Sequence, residues 1–190
     1  MLKFTKTILY IVIVSFSSFV SFACQNKNIS EKNDNESLKN NKEPNQTSQS
    51  KSEETASNFS LQSIDGKEIS MEDYEGKIII LDFWATWCGP CRKGIPDLVE
   101  LQKKYKDDLV IIGISLDSDT RNDVIPFTKE YKINYPVVYG NEEIVNDYGG
   151  INAIPTTFVL DTERKIVAKY IGLVDKETYV QLIENLKEKS

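Results

Sequence analysis

Three hydrophobic patterns follow one another along the chain. Thr7 to Phe22 is an uncharged run rich in Ile, Val, Leu and Phe, set behind Lys3 and Lys6. That is the layout of an export signal over residues 1–23, not of a folded element. From Gln25 to Ser57 the apolar positions nearly vanish: seven Asn, five Lys and six acidic residues surround Ile29, Leu38 and Ala56. Such a stretch cannot bury enough surface to offset the entropy of ordering it, so 24–57 is expected to be a disordered tether.

From Asn58 the pattern becomes that of one folded domain, 58–190. Phe59 to Ile64 and Glu68 to Ser70 flank Asp65-Gly66-Lys67, which predicts a small hairpin. Ile78 to Trp84 is apolar at six of seven positions and rich in β-branched residues, the mark of a strand buried on both faces. Leu109 to Leu116 reads the same way. Between them Leu98, Leu101 and Tyr105 share a helical face, and Val124, Phe127 and Tyr131 predict a second helix with Pro126 in its first turn. Tyr135 to Val138 predicts a short strand. Thr156 to Leu160 and Ile166 to Ile171 lie a hairpin's distance apart, and Tyr179, Leu182, Ile183 and Leu186 close the chain with an amphipathic helix. Strands alternating with helices and then a hairpin predict an α/β fold with a mixed central sheet.

Composition then excludes chemistries. The 190 residues contain no histidine and three cysteines. A Ser-His-Asp triad, a Cys-His pair, a His-liganded zinc and a c-type haem site are therefore ruled out. A formal charge of −6 argues against a general grip on nucleic acid. Ser21-Phe22-Ala23-Cys24 resembles the bacterial lipoprotein processing site, with Ser21 where an aliphatic residue is usual. Lipidation at Cys24 would anchor the chain to a membrane; simple cleavage near Ala23 and an uncleaved transmembrane anchor remain the alternatives. All three place 58–190 outside the cytoplasm, in the bacterial cell envelope if the lipid reading holds.

Trp87-Cys88-Gly89-Pro90-Cys91 lies directly between a buried strand and a helix. A cysteine at a helix start meets unpaired backbone N–H groups and the positive end of the dipole, which favour thiolate over thiol. Cys91, three residues on, is close enough to form a disulfide with Cys88 but is sequestered beneath it. The alternatives are a static bridge and half of a metal site. Only Cys24 is left as a further thiol ligand, too few for a zinc ribbon, and a bridge closing so small a loop constrains little. Redox exchange carries the weight, with no metal and no dissociable cofactor.

With these motifs in place, the sequence resembles the thioredoxin superfamily, in its exported TlpA/ResA-like branch. Phe83-Trp84-Ala85-Thr86-Trp87-Cys88-Gly89-Pro90-Cys91-Arg92, with Pro96 beyond, is similar to the thioredoxin active-site segment, and Ile154-Pro155-Thr156-Thr157 to its cis-proline loop. The N-terminal hairpin, Tyr74-Glu75-Gly76-Lys77 and a helix-strand insert between Asp117 and Val138 resemble the exported branch. The resemblance implies a thioredoxin fold, Cys88 as nucleophile, Cys91 as resolving thiol, Asp82 as a buried acid and Pro155 as a cis residue facing the cysteines. It further implies substrate contacts at Trp87, Gly89, Pro90, Ile154, Thr156 and Gly172. Protein disulfides are the expected substrates, a membrane thiol donor of the DsbD/CcdA kind the expected electron source, and a monomer the expected state.

Two departures qualify this. Cytochrome c maturation is one task of the branch, yet many of those reductases carry Glu where Gly89 stands. The basic residue near thioredoxin's buried acid aligns with Gly113. Two other readings remain open: a thiol peroxidase, whose site needs Thr where Ala85 stands, and a non-catalytic binding lipoprotein on the same fold.

Overall fold

The computed structural model describes residues 55–189, so the export run, Cys24 and most of the expected tether lie outside the described residues. Among those described, no helix is long and apolar enough to cross a membrane. The described residues form seven strands and four α-helices in chain order: β1 Ser60–Gln62, β2 Glu68–Ser70, β3 Ile78–Trp84, α1 Gly89–Lys104, β4 Leu109–Ser115, α2 Val124–Glu130, β5 Val137–Tyr139, α3 Glu142–Asp147, β6 Thr156–Leu160, β7 Ile166–Ile171 and α4 Lys176–Lys187. β1 and β2 form the expected hairpin. The other five strands make one sheet in the order β5-β4-β3-β6-β7. β3 runs parallel to β4 and antiparallel to β6, so the sheet is mixed and the fold is that of thioredoxin.

All seven residues of β3 and all seven of β4 are buried, as expected for strands covered on both faces. Side chains alternate between two cores because the strand period is two. Ile78, Ile80 and Trp84 pack with Ile95, Leu98 and Leu101 of α1 and with Tyr179 and Ile183 of α4. Ile79, Leu81 and Phe83 pack on the other face with Phe59, Met71, Tyr148 and Phe158. By the same alternation Asp82 points to the α1 side.

Three details differ from the sequence reading. The domain begins earlier than Asn58: Ala56 is buried and its N–H donates to the Arg164 carbonyl at 3.0 Å, beside a bridge between Thr55 and Lys165. The strand expected at Tyr135 to Val138 is β5, Val137–Tyr139, because the Tyr135 side chain folds into the core and Pro136 has no N–H for a ladder. α3, capped by the Asn141 side chain on the Ile144 N–H at 2.9 Å, was not expected, since six residues are too few to display a helical period. Pro126 occupies the first turn of α2 as anticipated.

The β6–β7 turn is organised by Asp161, whose Oδ1 accepts from the N–H groups of Glu163 and Lys165 at 2.9 Å each. Arg164 N–H donates to the Asp161 carbonyl, and Arg164 then takes φ +65°, a left-handed conformation where glycine is the usual residue. A side chain there opposes the backbone by roughly 1–2 kcal/mol, partly offset by the extra chain entropy of an unfolded glycine. Arg164→Gly is expected to raise the unfolding free energy by roughly 0.5–1 kcal/mol in urea titration.

Candidate active site

The end of β3 delivers the chemistry. After Trp84 the chain turns through Ala85, Thr86 and Trp87, and Cys88 becomes the N-cap of α1 with φ −78° and ψ 107°. Its Sγ accepts from the Cys91 N–H at 3.2 Å, so this sulfur meets one of the helix's unpaired donors. Gly89 and Pro90 form the first turn, both exposed, where proline's missing N–H costs nothing. Cys88 and Cys91 are joined in a disulfide with Cα atoms 5.3 Å apart. Cys88 is 4% exposed and Cys91 2%.

The Ile154-Pro155 peptide is cis, and the Ile154 carbonyl lies 3.6 Å from Cys88 Sγ. In the disulfide this sulfur has no proton to donate; on reduction a Cys88 thiol can donate to that carbonyl. The Gly172 N–H donates to the Pro155 carbonyl at 2.8 Å, tying the end of β7 to the proline loop, and Gly172 itself has φ +93°. Thr156 is a different matter. It is 2% exposed, its hydroxyl donates to the Ala153 carbonyl at 2.7 Å, and its backbone already lies in the ladder between Phe83 and Ile171. The expected substrate contact there is not available, because β6 begins at that residue.

Three large apolar side chains stand in solvent around the disulfide: Trp87 is 64% exposed, Ile171 68% and Leu173 52%. Isolated exposed apolar residues are ordinary, whereas these three are grouped at the end of the sheet that carries the disulfide. Of these, Ile171 and Leu173 escaped the sequence reading, although their position on either side of Gly172 was a signal. Leu173 reaches across to α1, where its Cδ1 would lie 3.1 Å from a Cβ at Gly94. Trp84, by contrast, is fully buried and belongs to the core.

Asp82 lies beneath the disulfide, 3% exposed in a strand otherwise apolar. Burial pushes its carboxyl up from 3.8 to about 7, opposed by a hydrogen bond from Thr157 Oγ1 at 3.2 Å. The position opposite it on β4 is Gly113, and a Cβ there would stand 3.0 Å from Trp84 Nε1 and 3.2 Å from the Tyr135 ring. Two aromatic rings thus fill the place where the resemblance to thioredoxin aligns a basic residue. The Trp84 N–H and Tyr135 hydroxyl have no hydrogen-bond partner there. Asp82, Cys91, Pro155, Thr157 and Tyr179 line a cavity of about 20 Å³, enough for one water molecule. No group of three Cys, Asp or Glu side chains among the described residues could hold a metal ion.

Arg92 follows Cys91 and fastens α1 to the insert: its Nε donates to Tyr131 Oη at 2.9 Å. Tyr131 stacks on Phe127 at 4.2 Å between centroids, and Phe127 lies 5.1 Å from Trp84. The helix-strand insert therefore buttresses the start of α1.

Residues 53–169 match the AhpC/TSA family. The chain is 39% identical over 135 residues to the thiol-disulfide oxidoreductase ResA of Bacillus thuringiensis subsp. konkukian, covering 70% of this chain and 75% of that protein. A thiol:disulfide interchange protein of the thioredoxin family from Chlorobium tepidum superposes with TM-score 0.65 at 32% identity, covering 70% of this chain and 94% of that one. The exposed lipoprotein thioredoxin of Streptococcus pneumoniae superposes with TM-score 0.61 at 29% identity, covering 68% and 100%. With a disulfide at the start of α1, a cis proline beside it and these relatives, the chain belongs to the AhpC/TSA family and is a thiol-disulfide oxidoreductase with a thioredoxin fold.

Proposed function

We propose that this oxidoreductase works as a reductase of disulfides in exported proteins, held at a membrane by its N-terminal segment. The observation that carries the reading is the Cys88–Cys91 pair at the mouth of an apolar rim formed by Trp87, Ile171 and Leu173. A protein disulfide in an extended chain has both the apolar flanks and the S–S bond that such a site accommodates.

In the reaction, Cys88 thiolate attacks one sulfur of the substrate disulfide, forming a mixed disulfide and releasing the other substrate sulfur as thiolate. Cys91 gives its proton to Asp82 across the small shared cavity and attacks Cys88 Sγ. The second substrate thiolate leaves, and the two electrons gained by the substrate come from the Cys88 and Cys91 thiols, which are oxidised to the Cys88–Cys91 disulfide. A carboxyl that titrates at about 7 is matched to this task, being available as base while its conjugate acid is still populated. A membrane thiol donor of the DsbD/CcdA kind then restores the dithiol. The direction rests on the Gly-Pro pair between the cysteines, which resembles the reducing thioredoxins.

The tether reading is supported by the uncharged run Thr7 to Phe22 behind Lys3 and Lys6, by Cys24, and by the likeness to a protein named an exposed lipoprotein thioredoxin. Thr55 and Ala56 meet the β6–β7 turn, at the end of the sheet opposite the disulfide.

Three outcomes follow. The purified protein should accelerate insulin reduction by dithiothreitol at neutral pH, and Cys88→Ser should return the rate to background. An intact protein that consumes hydrogen peroxide without reducing insulin would favour the peroxidase instead. Metabolic palmitate labelling in a bacterial host should mark the protein and be lost in Cys24→Ser; an unlabelled wild type would point to cleavage or a transmembrane anchor. Asp82 also sets a pH dependence. Between about 4 and 7 the folded protein keeps a proton that the unfolded chain releases, so its contribution to stability falls as pH rises through that window. Asp82→Asn should therefore gain about 3–4 kcal/mol over wild type at pH 8 and nothing at pH 4 when urea unfolding of the oxidised proteins is compared.

A further inference from the structure

We infer that Asp117 is a positioning residue for the disulfide loop, acting on Cys88 through Thr86. Asp117 lies in the turn after β4, 31 positions from Thr86, and is 6% exposed. Its two carboxylate oxygens both accept from the Thr86 N–H, at 3.2 and 3.0 Å, and Oδ1 also accepts from Thr86 Oγ1 at 2.6 Å. The remaining donors are Ser115 Oγ at 2.9 Å and Thr120 Oγ1 at 2.5 Å. These donors are all neutral; no cation is among them. A buried carboxylate group held by hydroxyls and one amide fixes the geometry of the groups that donate to it.

The geometry it fixes is that of the loop carrying the nucleophile. Within Ala85 to Trp87 the backbone makes one turn bond, from Cys88 N–H to the Ala85 carbonyl at 3.1 Å, and this leaves the Thr86 N–H without a partner in its own segment. Thr86 is 9% exposed, too buried for that N–H to turn to water. Asp117 supplies the missing acceptor and adds a grip on the side chain. With Thr86 held, Trp87 is forced outward and Cys88 is presented as the N-cap of α1, its Sγ on the Cys91 N–H. Without that grip the loop can relax, and the sulfur loses the aligned donor that favours its thiolate.

The alkylation of reduced Cys88 by iodoacetamide, followed against pH in the full-length protein, tests this. Asp117→Ala should raise the midpoint of that profile, slow alkylation at pH 7 about fivefold or more, and lower kcat/KM for insulin about tenfold. Thr86→Val removes one hydroxyl and leaves the carboxylate charge in place; it should shift the midpoint the same way, and Thr86→Ser should restore it. The sign is diagnostic, because deleting a nearby negative charge with no change of geometry would lower the midpoint. A lowered or unchanged midpoint in folded Asp117→Ala overturns the proposal. If that variant does not fold, a wild-type profile in Thr86→Val overturns it. The alkylation readout is independent of whether the enzyme works as a reductase or an oxidant.

Discussion

Strand β3 is covered on both faces, and the site depends on that burial. A strand so placed must be apolar along its length, and it is, apart from Asp82. Its neighbours β4 and β6 hold it in the ladder as far as Ser115 and Thr156, so the chain leaves the sheet at a point fixed to within one residue. Cys88 sits four residues beyond that point. The loop that carries it is short, and its position is inherited from a strand buried along its whole length. The proline loop reaches the same place from β6 and the apolar rim from β7, so three adjacent strands meet at one disulfide.

Asp82 shows how that rigidity interacts with chemistry. In the middle of an apolar strand a carboxyl is expensive to ionise, and the residue across the ladder decides by how much. Here that residue is glycine, and Trp84 and Tyr135 close over it. With Thr157 as its hydrogen-bond donor, Asp82 has a neutral partner and no cation opposite, and its carboxyl is held near 7. A lysine at Gly113 would have to displace two packed rings to reach it. The aromatic filling is thus also an electrostatic choice, one that leaves a carboxyl titrating close to neutral pH.

Much of this was legible in the sequence, for a physical reason in each case. β3 and β4 declared themselves because burial on both faces leaves an apolar run, β6 and β7 because they lie a hairpin's distance apart, and α4 because a single buried stripe leaves a period. The cysteines were readable from their place between a strand and a helix. What escaped is what depends on distance in the fold. Asp117 is ordinary as a loop aspartate, and only the parallel pairing of β3 and β4 brings it to Thr86. Ile171 and Leu173 look like the end of an edge strand, and become a rim only when β7 closes beside the proline loop. α3 left no period in six residues, and Tyr135 looked like a strand residue because an inward aromatic is common to strands and to the turns that precede them.

The balance of energies separates a working site from a structural bridge. A disulfide spanning four residues restricts the unfolded chain by only about 2 kcal/mol on loop-closure grounds. The buried carboxyl beneath it opposes folding by about 3–4 kcal/mol once the pH exceeds its titration point. Together the two groups therefore leave the domain no more stable at alkaline pH than an apolar pair of similar volume would. Stability does not account for keeping them side by side, nor for surrounding them with exposed Trp87, Ile171 and Leu173, whose burial against a partner is favourable and whose exposure alone is not. Taken together these features do not favour the isolated domain, and they are useful when a second polypeptide, carrying its own disulfide, comes to the same surface.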